Sequence, residues 1–321
     1  MSKYDVLCIG SATIDAFLSI DQRFSSLHMG DKILVTSLEK HTGGGATNSA
    51  AALSELGLKV KTLTKLSHDH DADFIRKELK RYGVENLCRN TSRQMTDSAT
   101  IITSSKEKDR IVFVHKGAST GLSAADFSES DFDCGWIYLA SLTGDSFKAV
   151  SKIIAIAKKR NIPLLFNPSL YLAQKGKTIL APVLKQVTIL VLNKEEAQAV
   201  LKVSSSDLII LARKLHALGP AAVVVTDGKK GLAAFHNGIS YTAASVPSVK
   251  VADTTGAGDA LTSGLLFAVM KHYPFEDALR LGMANASSVI QHLGAKNKLL
   301  SEKEALNFIR KNIITIHKKR I

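Results

Sequence analysis

Cysteine is scarce in this sequence, and its scarcity argues against two kinds of stabilising site. The 321 residues contain only Cys8, Cys88 and Cys134, an odd number at distant positions. This spacing fits neither a disulfide framework nor a zinc knuckle, both of which need paired or closely spaced cysteines. We therefore expect three reduced thiols, in the core or at the surface.

The chain also lacks a long apolar run and a signal-like beginning. No apolar segment approaches the ~20 residues that a helix needs to cross a bilayer. Residues 1–10 lack the charged segment followed by an apolar segment that is typical of a signal peptide. Residues 6–9 instead indicate a buried strand that ends in a turn. These features predict a cytoplasmic protein without a membrane partner.

Acidic residues are outnumbered, with 29 Asp and Glu against 42 Lys and Arg, which gives a net charge of +13. Such an excess favours anionic partners, including the phosphate backbone of nucleic acids. The bases are scattered, however, and the short runs at residues 158–160 and 318–320 lie at a predicted helix end and in the tail. Solvated surfaces usually carry such runs. We therefore expect a small anionic substrate and no nucleic acid.

Apolar β-branched runs alternate with helical patterns through most of the chain, which predicts a parallel sheet covered by helices on both faces. The length allows one large α/β domain or two smaller ones, and no repeat, low-complexity tract or linker is evident. We predict a single domain over residues 1–321. The predicted strands are 6–9, 61–66, 136–140, 163–166, 188–192 and 222–226. The predicted helices are 46–56, 71–82, 145–160, 194–201, 207–218, 257–270, 275–292 and 301–312.

Two strand-rich segments interrupt this alternation, at about residues 16–40 and 98–116. The second contains a polar turn at residues 105–109 between apolar runs, which indicates a hairpin. Both segments lie close in sequence to glycine motifs, so we interpret them as a small lid that excludes water from a site. The alternative is that they extend the main sheet.

The most informative motif is D-T-T-G-A-G-D at residues 253–259, which leads directly into an apolar helix. Unbonded N–H groups at a helix start attract anions, and the missing side chains of Gly256 and Gly258 let anionic oxygens approach the backbone. Asp259 then lies within reach of an incoming hydroxyl, as a general base beside a phosphoryl acceptor should. The alternative is an ordinary capped helix with an acid in its first turn.

A second glycine-rich loop, H-T-G-G-G-A-T-N at residues 41–48, precedes another predicted helix. Its backbone allows close contact with a polar ligand, and the amide of Asn48 can both donate and accept hydrogen bonds with sugar hydroxyls. Asp15 follows the first strand, at the end of the sheet where ligands of open parallel sheets bind. A flexible capped turn is the alternative interpretation of the loop.

Two further motifs follow predicted strands. Asn193 and Glu196 have the spacing of a capping box, and the alternative is a nucleotide and magnesium site in which Glu196 orders hydrated metal. Residues 226–231, T-D-G-K-K-G, form either a plain turn or a loop beneath a nucleotide. Neither motif is specific alone.

Taken in order, these motifs resemble the ribokinase-like family of carbohydrate and nucleoside kinases, and the resemblance extends from about Tyr4 to about His317. It implies a three-layer α/β/α core with a mostly parallel sheet, and a β-sheet lid that often forms a dimer interface. It also implies ATP as phosphoryl donor, Mg²⁺ and, as in many members, K⁺ as cofactors, and a homodimer formed through the lid.

The resemblance implies a role for each matching residue. Asp259 would be the base that deprotonates a hydroxymethyl group, with Gly256, Ala257 and Gly258 as the anion hole. Asp253 and Thr255 would hold a monovalent cation together with carbonyls near Gly294, and Asn285 would approach the adenine. Acceptor-binding positions would be Asp15, Gly43, Gly44 and Asn48, and the nucleotide and Mg²⁺ side would comprise Asn193, Glu196, Thr226, Gly228 and Gly231.

Departures from the family pattern bear on the acceptor. Gly45 stands where ribokinases tend to have lysine, residues 141–144 lack their usual glutamate, and residues 167–170 are not followed by the arginine of many ketodeoxygluconate kinase-like members. We predict an ATP-dependent kinase for a primary hydroxyl of a sugar or polyol. The alternatives are a nucleoside kinase, whose base packs near Phe17 or Phe113, and a non-catalytic sugar-binding regulatory protein.

Overall fold

The computed structural model of the chain describes residues 2–88, 90–107, 109–247 and 249–320. Lys108, in the second predicted lid segment, lies outside the described residues. Within those ranges, no helix combines the length and apolar character needed to cross a bilayer.

Fourteen strands and ten α-helices occur in the described part of the chain. The strands are β1 (Tyr4–Ile9), β2 (Thr13–Ile20), β3 (Val35–Gly43), β4 (Val60–Leu63), β5 (Glu85–Asn86), β6 (Asp97–Ser104), β7 (Arg110–His115), β8 (Cys134–Ala140), β9 (Leu164–Asn167), β10 (Ile189–Asn193), β11 (Ala222–Thr226), β12 (Leu232–His236), β13 (Ile239–Ala243) and β14 (His317–Arg320). The helices are α1 (Gly45–Glu55), α2 (His70–Arg81), α3 (Val150–Lys159), α4 (Leu170–Ala173), α5 (Gly176–Leu184), α6 (Lys194–Leu201), α7 (Leu208–His216), α8 (Ala257–Met270), α9 (Phe275–Val289) and α10 (Glu302–Lys311).

A ten-stranded sheet forms the middle layer, in the order β14-β13-β12-β11-β10-β9-β8-β1-β4-β5. The seven strands from β11 to β5 are parallel to one another. Their β-branched and leucine-rich sequences suit a sheet that is buried on both faces. The six predicted strands and the mostly parallel sheet are confirmed, with ends that differ by a few residues.

Alternate side chains of the strands enter two apolar cores, one on each face of the sheet. Val6 and Cys8 of β1 join the core beneath α1, α2, α8, α9 and α10, whereas Leu7 and Ile9 join the core beneath α3, α5, α6 and α7. This period of two residues follows from strand geometry. The result is the predicted three-layer α/β/α arrangement.

The antiparallel strands β12, β13 and β14 extend one edge of the sheet and were not predicted. β12 and β13 are short and join through the turn at Asn237 and Gly238, both with positive φ. β14 consists of His317 to Arg320, a basic segment that was interpreted as a solvated tail. Backbone pairing with β13 makes it a strand despite its charge.

The two strand-rich segments form a separate four-stranded sheet in the order β3-β2-β6-β7, which we call the lid sheet. β2 and β3 are antiparallel, β2 and β6 are parallel, and β6 and β7 form the predicted hairpin. Within the described residues the lid sheet is not an extension of the main sheet, so the alternative interpretation is wrong. Strand β2 begins, and strand β3 ends, beside the glycine loop that precedes α1.

Candidate active site

A cleft of about 290 Å³ opens at the carboxyl ends of the central strands. Parallel strands gather their chain ends at one edge of a sheet, so residues distant in sequence meet there. The start of α8 and the end of β7 complete the walls. The lining residues are Ser11, Gly45, Lys116, Ala140, Ser141, Thr143, Asn167, Pro168, Ser169, Val191, Leu192, Asn193, Glu196, Thr226, Gly256, Gly258, Asp259 and Leu261.

The glycines of the D-T-T-G-A-G-D motif shape the start of α8. Gly256 is the residue before the helix and has φ of 76°, where side chains other than hydrogen are strained. A Cβ there would lie 2.5 Å from the Cβ of Ala295. At Gly258 a Cβ would meet no atom within 4 Å, so that glycine opens space in the cleft. Asp259 occupies the first turn of the helix.

Asp259 is joined to the second glycine loop through Asn48. The Nδ2 group of Asn48 donates a hydrogen bond of 2.8 Å to Oδ2 of Asp259. Asn48 is 5% exposed, and its Oδ1 has no hydrogen-bond partner among the described residues. A buried acceptor without a partner is costly unless a ligand supplies a donor. The two helix starts, α1 and α8, therefore present a carboxylate and an unpaired amide oxygen together.

Burial raises the pKa of Asp259 from 3.8 to about 6, because a charged carboxylate loses solvation there. The hydrogen bond from Asn48 and the charge of Lys296 oppose the shift, and the nearby charge of Asp15 adds to it. A carboxylate with a pKa near 6 is ionised at neutral pH and is a stronger base than an ordinary aspartate.

Asp15 lies on β2, directly beside the end of β3. It is 7% exposed, and its Oδ1 accepts a hydrogen bond of 3.2 Å from Thr13. A Cβ at Gly43 would overlap the Asp15 carboxylate, and a Cβ at Gly44 would lie 2.5 Å from the carbonyl of Ser11. The glycines thus let the two lid strands close around a buried acid, whose pKa is raised mainly by burial.

Asn193 and Glu196 form a reciprocal capping box at the start of α6 and also line the cleft. The backbone N–H of Glu196 donates a hydrogen bond of 2.8 Å to Oδ1 of Asn193. The backbone N–H of Asn193 donates one of 2.9 Å to Oε2 of Glu196. Burial, with the nearby charges of Asp259 and Glu195, raises the pKa of Glu196 to about 7. A carboxylate with these neighbours gains from a cation, which favours the metal interpretation alongside the cap.

Thr226 ends β11 at the cleft, whereas Gly228 and Gly231 lie in the following turn, outside the residues that line it. Both glycines have positive φ, 48° and 92°. Only Gly231 is crowded, since a Cβ there would lie 2.8 Å from Cα of Ala244. The salt bridge of 2.9 Å between Lys194 and Asp227 fixes this turn against the start of α6.

Asn285, expected to approach the adenine, is not among the residues that line the cleft. Its side chain is completely buried within α9 packing. The Nδ2 group donates a hydrogen bond of 3.1 Å to the carbonyl of Ala260, and Oδ1 accepts one of 3.1 Å from the backbone N–H of Leu300. Both ends of the amide are used inside the protein, where Asn285 joins α8 to the segment before α10.

Of the two aromatic residues suggested for a nucleoside base, one is engaged inside the protein and the other is exposed. Phe17 is 4% exposed and packs edge-on against His41, with ring centroids 5.6 Å apart. Phe113 is 59% exposed on β7, an outer strand of the lid sheet.

Comparison with known proteins agrees with this geometry. The model of the pfkB family carbohydrate kinases matches residues 3–302. The chain belongs to this family. It is 25% identical over 275 residues to a ribokinase of Haemophilus influenzae, which covers 83% of this chain and 87% of the relative. It is 26% identical over 303 residues to a nucleoside kinase of Methanocaldococcus jannaschii, with 92% and 93% covered.

The fold of this carbohydrate kinase also matches solved structures. A ribokinase of Arabidopsis thaliana, solved with ribose and ATP, superimposes with a TM-score of 0.82 at 23% identity, over 97% of this chain and 99% of that one. At this identity the match shows the fold alone. The predicted family and fold are therefore confirmed, whereas the roles of individual residues stay predictions.

Two basic residues of the kinase site were not predicted. Lys116 follows β7 and lines the cleft, with its Nζ 3.7 Å from Oδ2 of the buried Asp97. Lys296 is 7% exposed. Its Nζ donates a hydrogen bond of 2.7 Å to the carbonyl of Thr42 and one of 3.1 Å to the carboxylate of Glu78. Burial lowers the pKa of Lys296. No sequence motif marks either residue, because each acts through contacts between distant segments.

The residues expected to hold a monovalent cation have another partner in the kinase. Nη1 of Arg110 donates a hydrogen bond of 2.9 Å to Oδ1 of Asp253, and Nη2 donates one of 3.2 Å to Oγ1 of Thr254. The hydroxyl of Thr255 also donates to Oδ1 of Asp253, at 2.9 Å. These contacts do not fit an open site for K⁺, which differs from what the resemblance implies.

Among the described residues, no group of three or more His, Cys, Asp or Glu side chains is arranged to hold a metal ion. In phosphoryl transfer Mg²⁺ is usually shared by one or two carboxylates, substrate phosphates and water. Besides Asp259, Glu196 is the carboxylate among the residues that line the cleft, which makes it the candidate for that role.

Proposed function

We propose that the chain transfers the terminal phosphoryl group of ATP to a primary hydroxyl of a sugar or related polyol. The observation that carries this proposal is the hydrogen bond of 2.8 Å between Asn48 and Asp259 beside the open start of α8. It unites an acceptor-binding amide, a carboxylate with a pKa of about 6 and an anion-binding helix start. These are the parts that phosphoryl transfer to an alcohol needs.

The acceptor would lie between Asp15 and Asn48. The unpaired Oδ1 of Asn48 would accept a hydrogen bond from one hydroxyl, and Asp15 would accept from others, since both atoms are acceptors at neutral pH. Gly43 and Gly44 would let the sugar approach the backbone. Lys116 adds a positive charge to the cleft wall.

Asp259 would remove the proton of the acceptor hydroxyl. At the same time the hydroxyl oxygen would bond to the terminal phosphorus of ATP, and the bond from that phosphorus to ADP would break. The first N–H groups of α8, from Gly256, Ala257 and Gly258, would stabilise the charge on the phosphoryl oxygens. The backbone N–H of Ala257 already donates a hydrogen bond of 3.3 Å to the carbonyl of Thr254. The N–H of Gly258 is therefore the better placed donor to the phosphoryl oxygens.

ATP would bind across Asn193, Glu196, Thr226 and the turn of Gly228 and Gly231. Glu196 would hold Mg²⁺ through water, because Mg²⁺ retains part of its hydration shell in such sites. The bound ion would offset negative charge on the phosphates. The Asn193 side chain would keep Glu196 oriented through the capping box.

A sugar is favoured over a nucleoside because Phe17, suggested for a base, is buried and packs against His41. The named relatives include both a ribokinase and a nucleoside kinase, so both acceptor classes belong in the test. ADP release should be measured with ribose, fructose, adenosine, inosine and cytidine. The coupling between phosphorus and CH₂ protons in the product would identify a primary hydroxyl. The proposal fails if no acceptor exceeds the background of Asp259→Asn.

We also propose one domain that dimerises through its lid sheet in the cytoplasm, without nucleic acid. The dimer is supported by exposed apolar side chains on the lid strands: Val35, Leu38, Ile111, Val112, Phe113 and Val114. Several exposed apolar side chains on one sheet are more typical of an interface than of a free surface. Light scattering should give a dimer mass for the wild type and a monomer mass for a Val112→Asp/Phe113→Asp variant. A wild-type monomer would contradict the proposal.

A further inference from the structure

Arg110 and Asp253 join the lid sheet to the turn before α8. Arg110 begins β7, whereas Asp253 precedes the glycines of the proposed anion hole. Their side chains form a salt bridge of 2.9 Å, in which the Asp253 side chain is 5% exposed and that of Arg110 is 40% exposed. Partial burial of the carboxylate reduces screening and makes this pair stronger than an ordinary surface pair.

The Asp253 carboxylate has little capacity left for a metal ion. Oδ1 accepts from Arg110, from the amide of Thr255 at 3.1 Å and from its hydroxyl at 2.9 Å. Oδ2 accepts from the amide of Gly294 at 3.3 Å. The hydroxyl of Thr255 therefore points its hydrogen at the carboxylate. A K⁺ ion beside Oδ1 would meet the guanidinium charge at close range and would be repelled.

The loop after α9 carries a second fixed positive charge. Lys296 lies two residues after Gly294, is 7% exposed, and is held by Thr42 and Glu78. Its charge acts on both Asp15 and Asp259. The segment expected to contribute carbonyls to a cation site thus contributes an ammonium group to the acidic site itself.

We propose that Arg110 is a positioning residue that takes the place of a monovalent cation at this turn, so that phosphoryl transfer by this chain does not depend on K⁺. The inference rests on the proposed function. The guanidinium binds residues 253 and 254 with separate N–H groups, and its planar fork fixes their relative orientation. It thereby holds the backbone that leads into Gly256 and supplies positive charge near the phosphoryl site.

The first test needs only the wild-type protein. The turnover number is measured in KCl, NaCl and choline chloride at equal ionic strength, with saturating Mg·ATP. We expect the three values to agree within about twofold, because the charge is built into the chain. Stimulation by K⁺ of about fivefold or more over choline would overturn the proposal.

The second test removes the built-in cation. Arg110→Ala should lower turnover in choline chloride by about tenfold or more, and about 20 mM guanidinium chloride, far below denaturing concentrations, should restore at least a third of it. Arg110→Lys should keep more activity than Arg110→Ala, because it retains the charge. Lys106→Ala is the control, since its exposed ion pair with Asp21 lies on the same hairpin. Loss in Arg110→Ala without guanidinium or K⁺ rescue would overturn the proposal.

A third measurement separates this inference from the proposed function. The midpoint of thermal unfolding is compared for wild type and Arg110→Ala in KCl and in choline chloride, which requires no turnover. We expect K⁺ to leave the wild type unchanged and to raise the midpoint only for Arg110→Ala, whose Asp253 is then unpaired. If K⁺ stabilises the wild type instead, the inference fails even where phosphoryl transfer is observed. If no acceptor is phosphorylated while this pattern holds, the proposed function fails alone.

Discussion

Asn48 and Asp259, separated by 211 positions in the chain, are joined by a hydrogen bond of 2.8 Å between Nδ2 and Oδ2. The bond connects the first turns of α1 and α8, the two helices that follow the glycine motifs. It orients the carboxylate and leaves the other oxygen of Asn48 without a partner. In the proposed function the pair would couple acceptor recognition to the base, and several predictions concern it.

Asp259→Asn tests the base directly. The substitution keeps the shape of the side chain but removes its ability to accept a proton. We expect turnover to fall by about 10²- to 10⁴-fold, because general-base catalysis contributes on that scale. ATP affinity, measured by calorimetry, should change little. A variant that retains more than about a tenth of wild-type turnover would contradict the assignment.

The pH dependence of kcat/KM for the acceptor should show an acid limb set by Asp259, because bound Mg²⁺ at saturating Mg·ATP should keep Glu196 ionised. Because the pKa of Asp259 is raised to about 6 by burial, activity should rise through pH 6 at saturating Mg·ATP. Asn48→Ala removes a hydrogen bond that favours the ionised form, so the limb should move upward by about one pH unit. Ser49→Ala is the control, because its hydroxyl donates to the carbonyl of Gly45. A limb that stays at the same pH in Asn48→Ala would contradict this account.

Local sequence signals were sufficient for elements whose ends carry their own chemistry. Helices α6 and α8 begin and end at the predicted residues, since Asn193 caps one and Gly256 precedes the other. The strands β12 and β13 were not predicted because five residues give a weak period-two pattern. β14 was missed because its strand state depends on pairing with β13.

The motif residues of the site could be identified from sequence, but their partners could not. The salt bridge between Arg110 and Asp253 spans 143 positions and depends on how the lid sheet lies over α8. Lys296 reaches Thr42 across 254 positions. Asn285 has the residue type of a ligand contact, yet packing of α9 directs both of its ends into the protein. Side-chain contacts of this kind follow from the docking of elements and carry no local signal.

Gly256 and Gly258 form a matched pair with different constraints. Gly256→Ala should destabilise the protein, because φ is 76° and the new Cβ would lie 2.5 Å from that of Ala295. We expect a loss of about 2–4 kcal/mol in the free energy of unfolding. Gly258→Ala has no such clash and should unfold as the wild type does.

The kinetics of the same pair test the anion hole. Gly258 lines the cleft, so its added methyl group should obstruct the phosphoryl group and lower turnover by about tenfold or more without loss of stability. Denaturant unfolding and steady-state kinetics on both variants check these outcomes. Full activity in Gly258→Ala would place the phosphoryl group elsewhere.

Glu196→Gln separates the metal role of this residue from its cap. Glutamine can still accept the hydrogen bond from Asn193, so α6 should keep its start and the thermal midpoint should stay unchanged. Without the negative charge, the Mg²⁺ concentration for half-maximal activity should rise by about fivefold or more. Glu304→Gln is the matched control, since it alters the equivalent capping box of α10. An unchanged Mg²⁺ requirement would leave Glu196 as a cap alone.

The stability of Asp259→Asn should depend on pH in a defined direction. The folded-state pKa of Asp259 is raised from 3.8 to about 6, so the native state binds more protons than the unfolded state between these values. The ionised carboxylate therefore destabilises the wild type, fully above pH 6 and not at all below about pH 4. At pH 7–8 the variant should be more stable by about 1–2 kcal/mol, an amount that allows for partial solvation of the carboxylate. Urea unfolding of both proteins at pH 4, 5, 6 and 7.5 measures the difference, which should shrink toward zero as the pH falls; a constant difference across this range would mean that Asp259 titrates alike in both states.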